Sequence, residues 1–149
     1  MSKFASDQMV RVGILGASGY TGADLVRLLA GHERASIELL TANTQAGQPM
    51  DAIYPHLANL DLPGLITVEE ADWDSVDVLF CGLPHGTTQK IIAGLPHHLR
   101  IIDLSADFRL MDVDTYSDWY GHEHCAPKLQ QEAVYGLTEM ARDAIRSAR

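Results

Sequence analysis

Val12-Gly-Ile-Leu-Gly-Ala-Ser-Gly-Tyr-Thr-Gly22 is the stretch from which the rest of the chain is read. A short apolar run breaks there into glycines just before a helical pattern begins. A buried parallel strand is short and apolar, and a pyrophosphate needs backbone N–H groups that no Cβ obstructs. Gly16, Gly19 and Gly22 meet that need, with Ser18, Tyr20 and Thr21 between them, and the helix that follows aims its N-terminus at an anion. A glycine fingerprint alone also suits a flexible turn, so its surroundings decide.

Working outward, residues 9–15 read as a strand and residues 20–31 as a helix. Leu25, Leu28 and Leu29 are expected on the apolar face of that helix, with Gly31 as its closing glycine. Residues 36–41 read as a second strand, which completes the βαβ unit that the fingerprint requires. Residues 42–63, punctuated by Gly47, Pro49, Pro55 and Pro63, are predicted to be a long irregular connection in which Tyr54-Pro-His-Leu57 is a candidate anchor. Strands are predicted at 65–68, 77–83 and 100–104, and a helix at 87–95 with Ile91, Ile92 and Leu95 at helical spacing. The alternation predicts an α/β fold: a Rossmann-type, doubly wound, mainly parallel sheet with helices on both faces, formed by residues 9–149 behind a disordered lead-in at residues 1–8. Residues 105–125 read as a polar and aromatic connection, a pattern usual in functional loops. A last helix is predicted at 139–148, with Met140, Ala144 and Ile145 on one side.

Composition narrows the partners. The 149 residues are 46% hydrophobic and 21% charged, enough for one globular domain with a core. Eleven Lys and Arg against 20 Asp and Glu give a net charge of −9, which argues against a nucleic-acid or acidic-membrane partner and requires any bound phosphate to be held locally. Cys81 and Cys125 make no disulfide framework, which suits a reducing cytoplasm, and no apolar run approaches the roughly 20 residues of a membrane span.

In open parallel sheets, ligands bind beyond the carboxyl ends of the strands. Three predicted loops leave such ends, at residues 16–22, 83–86 and 105–109. The second strand runs into Thr41-Ala-Asn-Thr44 rather than the Asp or Glu that holds a ribose 2′-hydroxyl in NAD enzymes, which tilts the cofactor towards NADP. Ala42, Asn43 and Thr44 are then the candidates beside the adenosine ribose. Leu83, Pro84, His85 and Gly86 follow a strand end, where His85 serves either beside the cofactor or in helix capping and packing. Ser105, Asp107 and Arg109 are candidates for the substrate side, although Asp107 and Arg109 could equally form a structural salt bridge. His122-Glu-His-Cys125 carries metal-ligating residue types without metal-site spacing, so no metal site is assigned. No Gly-x-Ser-x-Gly elbow for nucleophilic catalysis occurs.

Five spaced motifs, Gly16-Ala-Ser-Gly-Tyr-Thr-Gly22, Leu83-Pro-His-Gly86, Ile102-Asp-Leu-Ser-Ala-Asp-Phe-Arg109, Trp119-Tyr-Gly121 with His124, and Tyr135-Gly-Leu137 with Glu139, together resemble the N-acetyl-gamma-glutamyl-phosphate reductase family of arginine biosynthesis. The resemblance implies an NADPH-dependent reduction of an acyl phosphate to an aldehyde. In that chemistry a cysteine thiolate displaces phosphate, hydride reduces the thioester, and a histidine handles protons. It also implies that the family's Asn-Pro-Gly-Cys-Tyr-Pro motif and its catalytic and dimerisation domain lie beyond the matched part. No catalytic residue is therefore expected within this chain, which is predicted inactive alone, and the full-length protein is expected to be a homo-oligomer. Two other readings stand beside it: a stand-alone nucleotide-binding or sensor module, and an aspartate-semialdehyde-dehydrogenase-like reductase.

Overall fold

The computed structural model describes residues 8–148, so residues 1–7 of the expected lead-in lie outside the described residues. Five strands, β1 (Val10–Leu15), β2 (Ala35–Thr41), β3 (Leu65–Ile66), β4 (Val78–Cys81) and β5 (Arg100–Asp103), form one sheet in the order β3-β2-β1-β4-β5. The pairings of β1 with β2, β1 with β4 and β2 with β3 are parallel. From β1 the chain builds one half of the sheet through β2 and β3, then returns beside β1 and builds the other half through β4 and β5. That is the strand order of the Rossmann-type, doubly wound class, and its direction reverses between β1 and β4. The register there pairs Leu15 with Cys81, which brings the two carboxyl ends level.

The chain falls into two compact units: residues up to Gly82 with His97–Ile102, and Leu83–Pro96 with the residues from Asp103 on. In the first unit, β1 is apolar because Val12, Ile14 and Leu15 are all buried, as a central parallel strand requires. Its beginning is pinned to the segment before β4: the Arg11 N–H donates to Asp77 Oδ2 at 3.0 Å, and the guanidinium reaches both carboxylate oxygens, the closer at 2.7 Å. Helix α1 (Tyr20–Leu29) buries Gly22, Ala23 and Val26, and its small residues let it close on the loop before it.

The structure corrects several predicted details of the first unit. Leu28 is 61% exposed, because the buried stripe of α1 runs through Val26 instead. The helix ends at Ala30 in ordinary right-handed geometry, so Gly31 is not its closing glycine. The predicted irregular connection contains α2 (Met50–Ile53) and a 3₁₀ turn at Pro55–Leu57. Met50 and Leu57 bury themselves in the core with Val12, Ile14, Val26, Leu40 and Leu65.

The second unit carries α3 (Thr88–Ala93), α4 (Val113–Tyr120), α5 (Pro127–Gln130) and α6 (Thr138–Ser147). Helix α4 corrects the reading of residues 105–125 as irregular. Asp112 caps its start, accepting the Thr115 N–H at 2.7 Å, and Gly121 ends it in the left-handed conformation. Helix α6 buries none of its residues and is interrupted at Ala141, and Met140 is 85% exposed rather than part of a packed side. Among the described residues, no helix is long and apolar enough to cross a membrane.

Candidate functional site

The glycine loop after β1 is held from three sides within the first unit. The Ala17 N–H donates to the Thr41 carbonyl at the end of β2 at 2.8 Å, and the Gly16 N–H faces Thr41 Oγ1 at 3.4 Å. Gly16 itself takes φ +74°, and the Gly19 N–H closes the turn onto the Gly16 carbonyl at 3.0 Å. The Tyr54 hydroxyl donates to the Ser18 carbonyl at 2.9 Å, so the stretch predicted as an anchor does tether this loop. Ala23 N–H finds the Gly19 carbonyl at 2.9 Å. The amides of Tyr20, Thr21 and Gly22 precede it at the helix start and have no intrahelical acceptor. Together with the helix dipole they favour an anion at this end.

Gly22 decides how closely the helix approaches the loop. A Cβ there would stand 2.5 Å from both the Ala17 Cα and the Gly16 carbonyl oxygen, inside backbone that cannot swing aside. Gly82, expected within a strand at 77–83, instead follows the end of β4 and lines the same switch point; a Cβ on it would lie 3.3 Å from the Leu15 carbonyl oxygen and 3.9 Å from Gly22 N. Its position immediately after the apolar run of β4 was the signal available. Beyond β2, Ala42 is buried and bonded through its N–H to the Ile66 carbonyl at 2.9 Å, whereas Asn43 and Thr44 are exposed. No carboxylate stands among residues 41–44.

In the second unit, Pro84 and His85 are exposed, Leu83 and Gly86 half-buried, and Gly86 takes φ +80°. Thr87, not His85, stands at the start of α3 and makes no side-chain capping bond, while the His85 ring lies against Tyr120 with centroids 5.9 Å apart. Asp107 is fully buried. Its Oδ1 accepts the Gly86 N–H at 2.6 Å and the Tyr116 hydroxyl at 3.1 Å, and its Oδ2 accepts the Gln89 N–H at 3.3 Å. Burial, reinforced by the nearby Asp107 charge, pushes the Tyr116 phenol far above its ordinary pKa. Ser105 is fixed by Asp103, whose two oxygens accept the Ser105 N–H at 2.9 Å and hydroxyl at 2.7 Å; burial pushes the Asp103 carboxyl up. Arg109 is exposed and directs its guanidinium to the Ser105 and Leu104 carbonyls, rather than to Asp107 as the salt-bridge alternative required.

Within the His122–Cys125 segment only His124 is buried, and hydrogen bonds hold it there. The Ala126 N–H donates to His124 Nδ1 at 3.1 Å, which assigns the ring proton to Nε2, and Nε2 then donates to the Asp107 carbonyl at 3.0 Å and to Gln130 Oε1 at 3.2 Å. His122 stands edge-on to Tyr116, and the Cys125 N–H donates to Gln89 Oε1 at 2.6 Å. Among the described residues, no group of three or more His, Cys, Asp or Glu side chains could hold a metal ion. Gln89 and Gln130, both buried, were invisible to sequence reasoning because nothing in their spacing marks a glutamine as a core hydrogen-bonding residue.

Comparisons with known proteins agree with this geometry. A family model described as the semialdehyde dehydrogenase NAD-binding domain matches residues 11–148. Proteins named N-acetyl-gamma-glutamyl-phosphate reductase are similar throughout: one from Rhodospirillum rubrum is 60% identical over 95% of this chain and 42% of its own length. A probable chloroplastic reductase of that name from Oryza sativa subsp. japonica is 58% identical over 97% of this chain and 35% of its own length. The chain thus spans 35–42% of the length of these curated relatives. Among solved structures, aspartate semialdehyde dehydrogenase with NADP from Candida albicans matches 80% of this chain and 41% of that one, with a TM-score of 0.55 at 19% identity. Aspartate semialdehyde dehydrogenase II from Vibrio cholerae, complexed with ASA, matches 68% of this chain and 32% of that one, with a TM-score of 0.52 at 22% identity. These two share the fold. From the family match over residues 11–148, joined to the parallel sheet and the glycine loop at its switch point, it follows that the chain belongs to the semialdehyde dehydrogenase family, as its NAD-binding domain.

Proposed function

We propose that this chain is the NADP-binding part of an N-acetyl-gamma-glutamyl-phosphate reductase. The longer enzyme would reduce N-acetyl-gamma-glutamyl phosphate with NADPH to N-acetylglutamate 5-semialdehyde and phosphate. The observation that carries this reading is 53–60% identity to reductases of that name over 95–99% of the chain. The structural support is the close approach of α1 to the glycine loop, which a Cβ on Gly22 would prevent, with helix-start amides that have no intrahelical acceptor.

In this reading Gly16, Ser18, Gly19, Tyr20, Thr21 and Gly22 hold the pyrophosphate through main-chain N–H groups. Ala42, Asn43 and Thr44 hold the adenosine ribose by neutral contacts, a choice favoured by the lack of a carboxylate after β2. The 83–86 turn takes the nicotinamide side, and Ser105 and Arg109 take the anionic substrate. When bound, NADPH supplies the hydride. Neither cysteine of the chain is given the nucleophile's task, since Cys81 is buried within β4 and neither lies in the Asn-Pro-Gly-Cys-Tyr-Pro motif that the resemblance assigns to the nucleophile. Alone, the chain binds nucleotide without turnover. The longer protein is read as a cytoplasmic homo-oligomer.

Isothermal titration of the chain with NADPH and with NADH tests the cofactor assignment. NADPH is expected to bind, and more tightly than NADH. Binding of neither nucleotide, or equal binding of both, would overturn it.

A further inference from the structure

Asp107 spends its carboxylate on the fold rather than on the surface. Its carboxylate accepts from Gly86 N–H, Gln89 N–H and the Tyr116 hydroxyl, its carbonyl accepts from Gln89 Nε2 at 3.2 Å and His124 Nε2 at 3.0 Å, and its own N–H donates to Ser105 Oγ at 3.1 Å. It is also fully buried. The shortest of these bonds, 2.6 Å, goes to the amide of Gly86, the residue that holds φ +80° at the end of the 83–86 turn. Charge-assisted bonds of that length are the stronger kind, and removing one partner leaves a buried donor unsatisfied. A Cβ on Gly86 would lie 3.4 Å from His122 Nε2, and the positive φ already favours glycine, so a side chain there would strain the turn.

We infer that Asp107 is a positioning residue: its carboxylate, by holding the Gly86 amide inward, fixes the conformation of the 83–86 turn that receives the nicotinamide half of the cofactor. This rests on the NADPH reading above for the ligand, and on the hydrogen bonds alone for the restraint. The 105–109 segment therefore has two tasks. Ser105 and Arg109 retain surface for substrate, while Asp107 points away from it and shapes the neighbouring turn. Asparagine at 107 replaces the charge-assisted bond to Gly86 with a weaker neutral one and turns an amide towards the Gln89 N–H, which sets donor against donor and loosens the side chain's hold on both amides.

The test compares the parent chain with Asp107→Asn, Gly86→Ala and the double variant, using amide hydrogen exchange and titration with NADPH and adenosine 2′,5′-bisphosphate. In Asp107→Asn, the amides of Gly86 and Gln89 are expected to lose protection while those of β1 keep theirs. NADPH binding should weaken by about tenfold, and adenosine 2′,5′-bisphosphate, which lacks the nicotinamide half, should change by less than about twofold. Gly86→Ala leaves the buried carboxylate in place and should give the same selective loss. Because both changes act through one turn, the double variant should be no weaker than the worse single one. Equal weakening of both nucleotides, unchanged Gly86 protection, or additive losses would each overturn the inference. A parent chain that binds neither nucleotide would instead overturn the cofactor reading and with it the role of the turn, leaving the exchange result to judge the restraint alone.

Discussion

A methyl group on Gly22 would have to displace backbone, since it meets the Ala17 Cα and the Gly16 carbonyl oxygen at 2.5 Å. Gly22→Ala is expected to lower stability by about 1–3 kcal/mol and to abolish NADPH binding, read by urea unfolding and calorimetric titration. A variant as stable as the parent that still binds NADPH would contradict the close approach of α1 to the glycine loop. Two carboxyl groups bend the pH dependence in opposite directions. Burial raises the Asp103 pKa, so the folded state binds that proton more readily, and stability rises as pH falls from the folded value towards the unfolded one. The hydrogen bond from Arg11 lowers the Asp77 pKa, so the stability it contributes is present above the unfolded value and lost as pH falls through the folded one. Unfolding followed on acidification should therefore show a shallow gain and then a loss below about pH 4. Asp103→Asn should remove the gain and Asp77→Asn the loss; a profile unchanged by either would contradict these assignments. Single residues were legible where chemistry restricts the choice, as at Gly16 and Gly22. The inward role of Asp107 was not, because its partners Gly86, Gln89 and Tyr116 lie 21, 18 and 9 residues away.

Among the elements, α1 and the strands around it were legible because their apolar periodicities are clear and the glycines mark their junction. The end of α1 was not, since Gly31 follows a helix that had already ended at Ala30. Helix α4 went unread although Asp112, Thr115 and Gly121 are ordinary start and stop residues. Only Tyr116 of its residues is buried, so it shows no stripe to register as a period. What that one side chain does gives the helix its purpose: Tyr116 packs against Tyr120, His122 and His124 and carries a hydroxyl to Asp107. Tyr116→Phe keeps the rings and removes that donor. It should cost about 1.5 kcal/mol in urea unfolding, the usual worth of a buried bond to a charged group. An unchanged midpoint would mean that α4 is held by ring packing alone.

For the molecule as a whole, the alternation of strands and helices was enough to predict a doubly wound sheet, and the order β3-β2-β1-β4-β5 agrees with it. The division after Gly82 into two compact units could not be read, because it depends on which distant segments pack together rather than on any linker composition. The chain spans 42% of the Rhodospirillum rubrum reductase to which it is 60% identical, which allows the proposed function to be tested in a complete enzyme. The decisive measurement replaces the matching part of that reductase with this chain and follows NADPH oxidation and phosphate release with N-acetyl-gamma-glutamyl phosphate. The folded chimaera is expected to consume NADPH and release phosphate in equal amounts, and to lose this activity on Gly22→Ala. A folded chimaera inert with that acyl phosphate, or one that runs on NADH as well as on NADPH, would contradict it.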